Sequence, residues 1–106
     1  MTIENLLKTH DALEVHCSEV LRKANTEYAI TEDSLDNFKL VSRLLEGRVT
    51  PIQVAAVYMT KHFIGIMKMV NGNFKQRDSV LGRFIDLRNY ATLLYALIEE
   101  GENERR

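Results

Sequence analysis

Apolar residues recur at helical spacing along almost the whole chain, and this pattern constrains the fold more than any other feature of the sequence. Four periodic segments are separated by short polar stretches, and the chain contains a single proline, Pro51. We predict an all-α fold, a single domain of about four antiparallel helices, because short connections between long helices favour antiparallel neighbours. The predicted helices span about 3–25, 33–46, 51–70 and 78–100, and residues 101–106 form a frayed tail.

The start of the third helix carries the clearest local signal in the sequence. Thr50 can cap this helix, Pro51 suits its first position, and Gln53 completes a capping box. Gly47 and Gly101 are predicted to end the second and fourth helices, because glycine readily adopts the left-handed conformation that follows a helix. The fourth helix is predicted to bury one apolar seam, formed by Val80, Phe84, Leu87, Ala91, Leu94 and Ile98 and widened by Leu81, Ile85, Leu93 and Leu97.

Charge and cysteine content restrict the classes of partner. Fourteen Lys+Arg against fifteen Asp+Glu give a net charge of -1, so the charge does not favour binding to nucleic acid or to anionic lipid. The most apolar segment, 54–70, is interrupted by Lys61, His62 and Lys68, which makes it a poor candidate for a membrane span. The single cysteine, Cys17, is expected in the core. Because one cysteine cannot form a disulfide within the chain, a reducing compartment is the simplest inference, and we expect a cytoplasmic protein.

Two acidic residues fall on apolar helix faces. Glu14 lies among leucines on the helical wheel of the first helix, and Asp86 does so on the fourth. Helical bundles build divalent-metal sites from inward carboxylates of two helices, so Glu14 and Asp86 are candidate metal ligands. Two interpretations stay open for each of them. One is a ligand, and the other is a carboxylate paired with a cation, such as Lys61 or an arginine for Asp86.

The third helix carries Lys61 and Lys68 on one side, together with Tyr58 and Gly65. Lysines at this spacing can meet phosphate oxygens, or they can form the solvated edge of a helix, and both interpretations stay open. His62 is interpreted as a packing histidine. The sequence contains no phosphate-cradling glycine loop, no Cys-x-x-Cys, no His-Glu-x-x-His and no nucleophile motif.

Two segments resemble a known family. Residues 23–39, Lys-Ala-Asn-Thr-Glu-Tyr-Ala-Ile-Thr-Glu-Asp-Ser-Leu-Asp-Asn-Phe-Lys, resemble the "Lys-Asn-x-Asp-Tyr … Asn-Phe-Arg" stretch of nucleotide-modification-associated, MazG-like proteins of phages and bacteria. Residues 78–91, Asp-Ser-Val-Leu-Gly-Arg-Phe-Ile-Asp-Leu-Arg-Asn-Tyr-Ala, are similar to the final helix of that group. Between them, Thr50-Pro-x-x-Val-Ala and Met59-Thr-Lys61 match its third helix and the lysine on it.

The resemblance implies an all-α fold and work on nucleotides. Enzymes of the MazG type are homo-oligomers that cleave nucleoside triphosphates to monophosphate and pyrophosphate, using magnesium held by helix carboxylates. On this chain the resemblance implies that Asp86 holds Mg²⁺ and that a tyrosine stacks on the base. With the lysine pair included, the nucleotide-binding candidates are Lys61, Lys68, Tyr28, Asn37, Asn89 and Tyr90.

The chain departs from the family pattern where acids are expected. Gly82 stands one turn before Asp86 in place of an acid, and the first helix lacks the family's Glu-Glu-x-x-Glu. We expect a nucleotide-binding protein of a bacterial cell or phage-infected host, with magnesium-dependent hydrolysis weakened or lost. The alternative is a non-catalytic interaction module that forms a homo-oligomer or binds a host protein, for example a phage factor acting on host defence.

Overall fold

The computed structural model describes residues 1–28 and 32–105, without the side chains of residues 27, 28 and 102–105. Over these residues the chain is an all-α bundle, which confirms the predicted fold class. Its helices are α1, Ile3–Tyr28; α2, Asp36–Leu44; α3, Pro51–Val70; and α4, Val80–Arg105. No helix in the described part of the chain is long and apolar enough to cross a membrane.

The capping box predicted at the start of α3 is present. The Thr50 hydroxyl accepts a hydrogen bond from the backbone N–H of Gln53 at 3.1 Å, and the Gln53 side chain accepts one from the Thr50 N–H at 2.9 Å. These bonds satisfy donors that have no partner within the helix. They fix the end of α3 that carries the buried residues Val54 and Ala55.

α2 begins later than predicted, at Asp36, because a hydrogen bond to the Asp33 side chain holds the preceding residues in a turn. The Asp33 carboxylate accepts a hydrogen bond from the backbone N–H of Leu35 at 2.9 Å. Such a local bond offers the backbone a turn in place of a helix. Asp33 also lies 2.6 Å from the Lys39 ammonium, whose Nζ lies 2.5 Å from Glu100 on α4. The turn therefore fixes the start of α2 and its position against α4.

These ion pairs shift two pKa values. The hydrogen bond from Lys39 is the main cause of a lowered pKa for Asp33, and the hydrogen bonds to Asp33 and Glu100 raise the pKa of Lys39. Folding therefore favours the charged forms of Asp33 and Lys39.

The substitution Lys39→Met is expected to lower the free energy of unfolding by about 1 kcal/mol at neutral pH, because water screens these partly exposed pairs. Since folding lowers the pKa of Asp33, its contribution is present above the ordinary carboxyl pKa and is lost as the pH falls through the folded-state value. The cost should therefore shrink in acid, as measured by urea unfolding across the acid range. Arg48→Met, which removes an exposed cation, is the matched control and should cost little at any pH. A cost for Lys39→Met that does not change with pH would contradict the prediction.

The predicted ends of α2 and α4 have different outcomes. α2 closes after Leu44, where Glu46 and Gly47 have positive φ angles of 57° and 73°. This left-handed conformation cannot continue a right-handed helix, so Gly47 takes part in ending α2 as predicted. The predicted stop at Gly101 is wrong, because α4 continues to Arg105. A glycine costs a helix only about 1 kcal/mol, which its helix-forming neighbours offset.

α3 and α4 form the central antiparallel pair. The rings of Tyr58 on α3 and Tyr90 on α4 lie 6.0 Å apart. One turn after Tyr58, the Nδ1 of His62 lies 3.7 Å from a carboxylate oxygen of Asp86, which is one turn before Tyr90, so the two helices run in opposite directions. α2 packs Phe38 against both tyrosines, at 6.1 and 6.4 Å between ring centroids. The centre of the core is the cluster Leu35, Phe38, Val54, Ala55 and Leu97.

α1 packs against α4 and runs parallel to it, unlike α3. The first half of α1 shares a groove with the start of α4, and its last turns share a pocket with the middle of α4. Near the crossing point the Asn89 side chain donates a hydrogen bond to the Cys17 carbonyl at 3.0 Å. Cys17 is buried there, as predicted. α1 also continues past the predicted end at residue 25, through Tyr28.

The apolar seam that α4 was predicted to bury is largely exposed to solvent. Val80, Phe84 and Ile98 are 46%, 40% and 40% exposed, whereas Ile85 and Leu97 are buried. α4 is apolar around most of its circumference, so its sequence period alone does not select one face. The contacts with α1, α2 and α3 bury the side that carries Ile85 and Leu97.

Candidate functional site

A pocket of about 400 Å³ lies where the last turns of α1, the start of α2 and the middle of α4 meet. Its volume falls within the range of small-ligand sites. Its apolar wall consists of Leu21, Ala24, Phe38, Tyr90 and Leu93. Its polar lining consists of Arg22, Asn25, Asp33, Ser34 and Asn37.

Helical spacing places these side chains together. Arg22 and Asn25 are three residues apart and share one face of α1, and Tyr90 and Leu93 are related in the same way on α4. Asn37 lies in the first turn of α2. The pocket therefore combines aromatic and aliphatic surface from α2 and α4 with hydrogen-bonding groups from α1 and α2.

Tyr90 connects the pocket with the aromatic core. Its ring stacks on His62 with centroids 5.1 Å apart and an interplanar angle of 19°, and it meets Tyr58 and Phe38 edge-on. Burial raises the pKa of the Tyr90 phenol, and the charge of Asp86 and the proximity of Tyr58 raise it further. The phenol therefore stays neutral at physiological pH and offers both a donor and an acceptor.

Beside Tyr90, a row of ionisable groups links α3 to α4. The Nδ1 of His62 lies 3.7 Å from Asp86 and 3.5 Å from a guanidinium nitrogen of Arg83, which in turn lies 3.3 Å from Asp78. Gly65 makes room for Arg83, since a Cβ there would lie 2.7 Å from its Nε and Cζ. This row pairs Asp86 with His62 and not with Lys61. The His62 side chain is 14% exposed, which agrees with a packing histidine.

The structure brings three of the predicted site residues together. Asn37 and Tyr90 line the same pocket, and Asp86 lies one turn before Tyr90 on the same face of α4. Asn89 lies elsewhere, because its buried amide joins α4 to the Cys17 carbonyl. It therefore holds two helices together and does not line the pocket.

Two further nucleotide-binding candidates, Lys61 and Lys68, are not part of the pocket lining. Lys61 and Lys68 are exposed on α3, as expected for the solvated edge of a helix. The side chain of Tyr28 lies outside the described residues. Among the described side chains, Phe38 and Tyr90 supply the aromatic surface of the pocket.

Glu14 and Asp86 face different sides of α4. A carboxylate oxygen of Glu14 lies 3.6 Å from the guanidinium of Arg88 and 3.5 Å from His10. Arg88 follows Asp86 by two residues and so projects from nearly the opposite side of α4. The inward position predicted for Glu14 is wrong, since its side chain is 56% exposed. α1 packs mainly against one helix, so its buried stripe is narrower than the wheel suggests.

His10, Asp11 and Glu14 form an exposed group on α1 whose potential ligand atoms lie within 4.8 Å of one another. All three lie on one surface of α1, because Glu14 follows His10 and Asp11 by about one helical turn, and His10 lies 3.2 Å from Asp11. Groups of this kind are common on solvated helix faces, where the charges pair with one another. We assign no metal to it.

Some pocket residues carried no signal in the sequence. Arg22 and Asn25 belong to no motif, and only the position of α1 against α4 makes them part of a site. Arg83 had an indirect signal, because a glycine inside an apolar helix, here Gly65, often marks a close approach of another group.

Comparisons of the chain with protein-family models, with curated proteins and with solved structures find no match. The functional interpretation therefore depends on the chemistry of the pocket and on the resemblance of the segments that surround it.

Proposed function

We propose that this chain is a MazG-like helical protein of a phage or bacterium that binds a nucleotide in the pocket between α1, α2 and α4. The observation that carries the proposal is the combination of two aromatic rings, Phe38 and Tyr90, with the amides of Asn25 and Asn37 in one cavity. Nucleobases stack on aromatic rings, and side-chain amides both donate to and accept from base edges. Arg22 adds a guanidinium that suits a phosphate.

The resemblance supports the same pocket. Asn37, Phe38 and Tyr90 belong to the two segments that resemble the MazG-like pattern. Tyr90 follows Phe38 by 52 residues along the chain, yet all three side chains line one cavity. A sequence pattern whose separated parts converge on one pocket is expected when those parts serve a common ligand.

The proposal is binding with weakened or lost hydrolysis. MazG-type hydrolysis depends on magnesium held by several helix carboxylates, whereas here Asp86 pairs with His62 and Glu14 pairs with Arg88. Under this proposal magnesium accompanies a triphosphate as its counter-ion, and no hydrolytic step is assigned to these residues.

The test is calorimetric titration with purine and pyrimidine nucleotides, with and without Mg²⁺, followed by chromatography of the recovered ligand. Asn37→Ala and Arg22→Gln are each expected to weaken binding about tenfold, because each removes a hydrogen bond or charge contact of that size. The recovered triphosphate should be intact. Recovery of monophosphate and pyrophosphate would instead identify an active hydrolase.

Two control variants test whether the loss of binding is specific to the pocket. Asn5→Ala and Arg48→Gln remove the same groups at exposed positions outside the pocket, so both should bind as the native chain does. No binding of any nucleotide by the native protein, or equal losses in pocket and control variants, would reject the proposal.

A further inference from the structure

Residues 47–77 carry no acidic side chain, so all fifteen Asp and Glu residues lie in the rest of the chain. The same segment contains five Lys and Arg residues. The net charge of -1 is therefore the sum of one positive segment and of negative parts before and after it. The positive segment consists of α3 and parts of the loops on both sides of it.

Four of these cations lie together on one side of α3. Lys61, Gly65 and Lys68 follow one another at helical spacing and so share one side of the helix. The Gln76 side chain donates a hydrogen bond to the Gly65 carbonyl at 3.0 Å, which holds the loop after α3 against this side. The bond places the two cations on either side of Gln76 near the two α3 lysines. We name these four residues the basic flank: Lys61, Lys68, Lys75 and Arg77.

The charge of the basic flank is not neutralised within the described part of the chain. All four residues are exposed, and none of them forms an ion pair with a described side chain. Two acids beside this part of α3, Asp78 and Asp86, already pair with Arg83 and His62. The basic flank is therefore free to meet the charges of a partner.

An exposed apolar face adjoins the basic flank. Phe63 and Ile64 are 52% and 49% exposed, and Val70 is 69% exposed. At about 100° per residue, the members of this face fall within about 120° of the helix circumference, and Lys68 comes next to them. Exposed apolar surface with a charged rim is typical of sites where proteins interact. The α3 face consists of Phe63, Ile64, Met67 and Val70.

The described bundle leaves this half of α3 without a helix on its outer side. α2 has nine residues and reaches only the first half of α3. Further along, the contacts of His62 with Asp86 and of Gly65 with Arg83 hold α3 against α4 on the inner side. The outer side can therefore accept one more helix through the packing of side-chain ridges into grooves. The α3 residues in or against the core cluster shared with α2 are Ile52, Val54, Ala55 and Tyr58.

We propose that the α3 face and the basic flank together dock an acidic amphipathic helix of a partner protein. The apolar side of that helix packs on Phe63, Ile64, Met67 and Val70, as in other cases where a helix binds through apolar anchors at helical spacing. Its Asp and Glu residues, aligned along one edge, meet the four cations. This proposal does not depend on the nucleotide proposal, because the docking surface and the pocket share no residue.

The arrangement of the charges favours a helix over other anionic partners. A bilayer surrounds an interfacial helix with headgroups on both sides of its apolar face. Here the cations line one side only, and the opposite edge of the α3 face, at Val70 and Met59, carries no charge. Nucleic acid binds mainly through its phosphates, which leaves an aliphatic face without a partner. A helix with acids along one edge matches both the face and its single basic flank.

The first test is the binding of a synthetic peptide to the full chain, measured by fluorescence anisotropy. The probe is a helix-forming peptide with leucines at helical spacing and glutamates along one edge, and the control peptide has lysine in place of each glutamate. The glutamate peptide should bind at least about tenfold more tightly, and its affinity should fall as the salt concentration rises. Equal affinities, or no binding of the glutamate peptide at millimolar concentration, would overturn the proposal.

The second test uses variants of the docking surface with matched controls. Lys68→Glu should weaken binding of the glutamate peptide about tenfold, because it replaces an attraction by a repulsion. Lys8→Glu makes the same change at an exposed position of α1 and should bind as the native chain does. Phe63→Ser should also weaken binding about tenfold, whereas Tyr95→Ser, at an exposed aromatic residue of α4, should not. Equal losses in surface and control variants would reject this surface as the docking site.

The third test concerns the other possible occupants of the surface. Vesicles containing phosphatidylserine and a DNA duplex should bind no more weakly to Lys68→Glu than to the native chain. A marked loss with either probe would assign the surface to a membrane or to nucleic acid and overturn the proposal. Light scattering should give the same molar mass for the native chain and for Phe63→Ser. A native oligomer that Phe63→Ser dissociates would assign the face to a second copy of this chain instead.

Discussion

Replacing Phe38 by alanine is expected to lower the free energy of unfolding by about 3–5 kcal/mol, the range found for deleting a buried phenylalanine ring. Phe38 is 5% exposed and contacts Tyr58 and Tyr90 through its ring. α2 has nine residues, too few to be stable as an isolated helix, so its position depends on this packing. The substitution removes the contact and leaves a cavity where three helices meet.

The change is measured by chemical unfolding followed by circular dichroism, at one fixed protein concentration because self-association shifts apparent stability. Phe74→Ala is the matched control. Phe74 is 65% exposed, so its loss should change the free energy of unfolding by about 0.5 kcal/mol or less. Equal stability of the Phe38→Ala variant and the native chain would show that α2 does not dock through this ring.

The substitution Asn89→Asp is expected to cost about 2–4 kcal/mol at neutral pH, because it replaces a buried amide donor by a carboxylate of the same shape. The Asn89 amide is 8% exposed and donates to the Cys17 carbonyl at 3.0 Å. An ionised carboxylate cannot donate, and it faces an oxygen that also carries negative charge. α1 should therefore loosen from α4, and the pocket wall that contains Arg22 and Asn25 should loosen with it.

The cost of Asn89→Asp should depend on pH. Burial raises the pKa of the introduced carboxyl in the folded state above its ordinary value near 3.9. The folded variant then binds more protons than the unfolded chain, so its stability falls as the pH rises from the unfolded-state pKa through the folded-state pKa. Unfolding measured from acid to neutral pH should show this fall. Asn73→Asp, an exposed control, should not, and a flat profile for Asn89→Asp would contradict the burial of this group.

Local chemistry made the individual helices predictable. The capping box of Thr50 and Gln53 depends on residues three apart, and α3 has the predicted bounds. The start of α2 was harder to predict, because Asp33 accepts bonds both from Leu35 nearby and from Lys39 within the helix. The end of α4 was mispredicted at Gly101, because a single glycine opposes a helix only weakly.

The site was predictable only in part. Asn37 and Tyr90 were candidates from the sequence, and both line the pocket. Asn89 was a candidate too, yet it is a structural link between helices. The helical wheel of α1 placed Glu14 among apolar residues, so it was expected to point inward. In the structure α1 packs mainly against α4, so fewer of its residues are buried than the wheel predicts.

The sequence by itself determined the all-α class, the four helices and several of the side chains that meet in the pocket, because periodicity and capping act over a few residues. Only the tertiary structure decided which face of each helix is buried, that α1 runs parallel to α4, and that Arg22 and Asn25 join the pocket. The physical reason is that α4 is apolar on nearly all sides. Its own sequence therefore allows several packings, and the contacts with α1, α2 and α3 select one of them and leave Val80, Phe84 and Ile98 exposed.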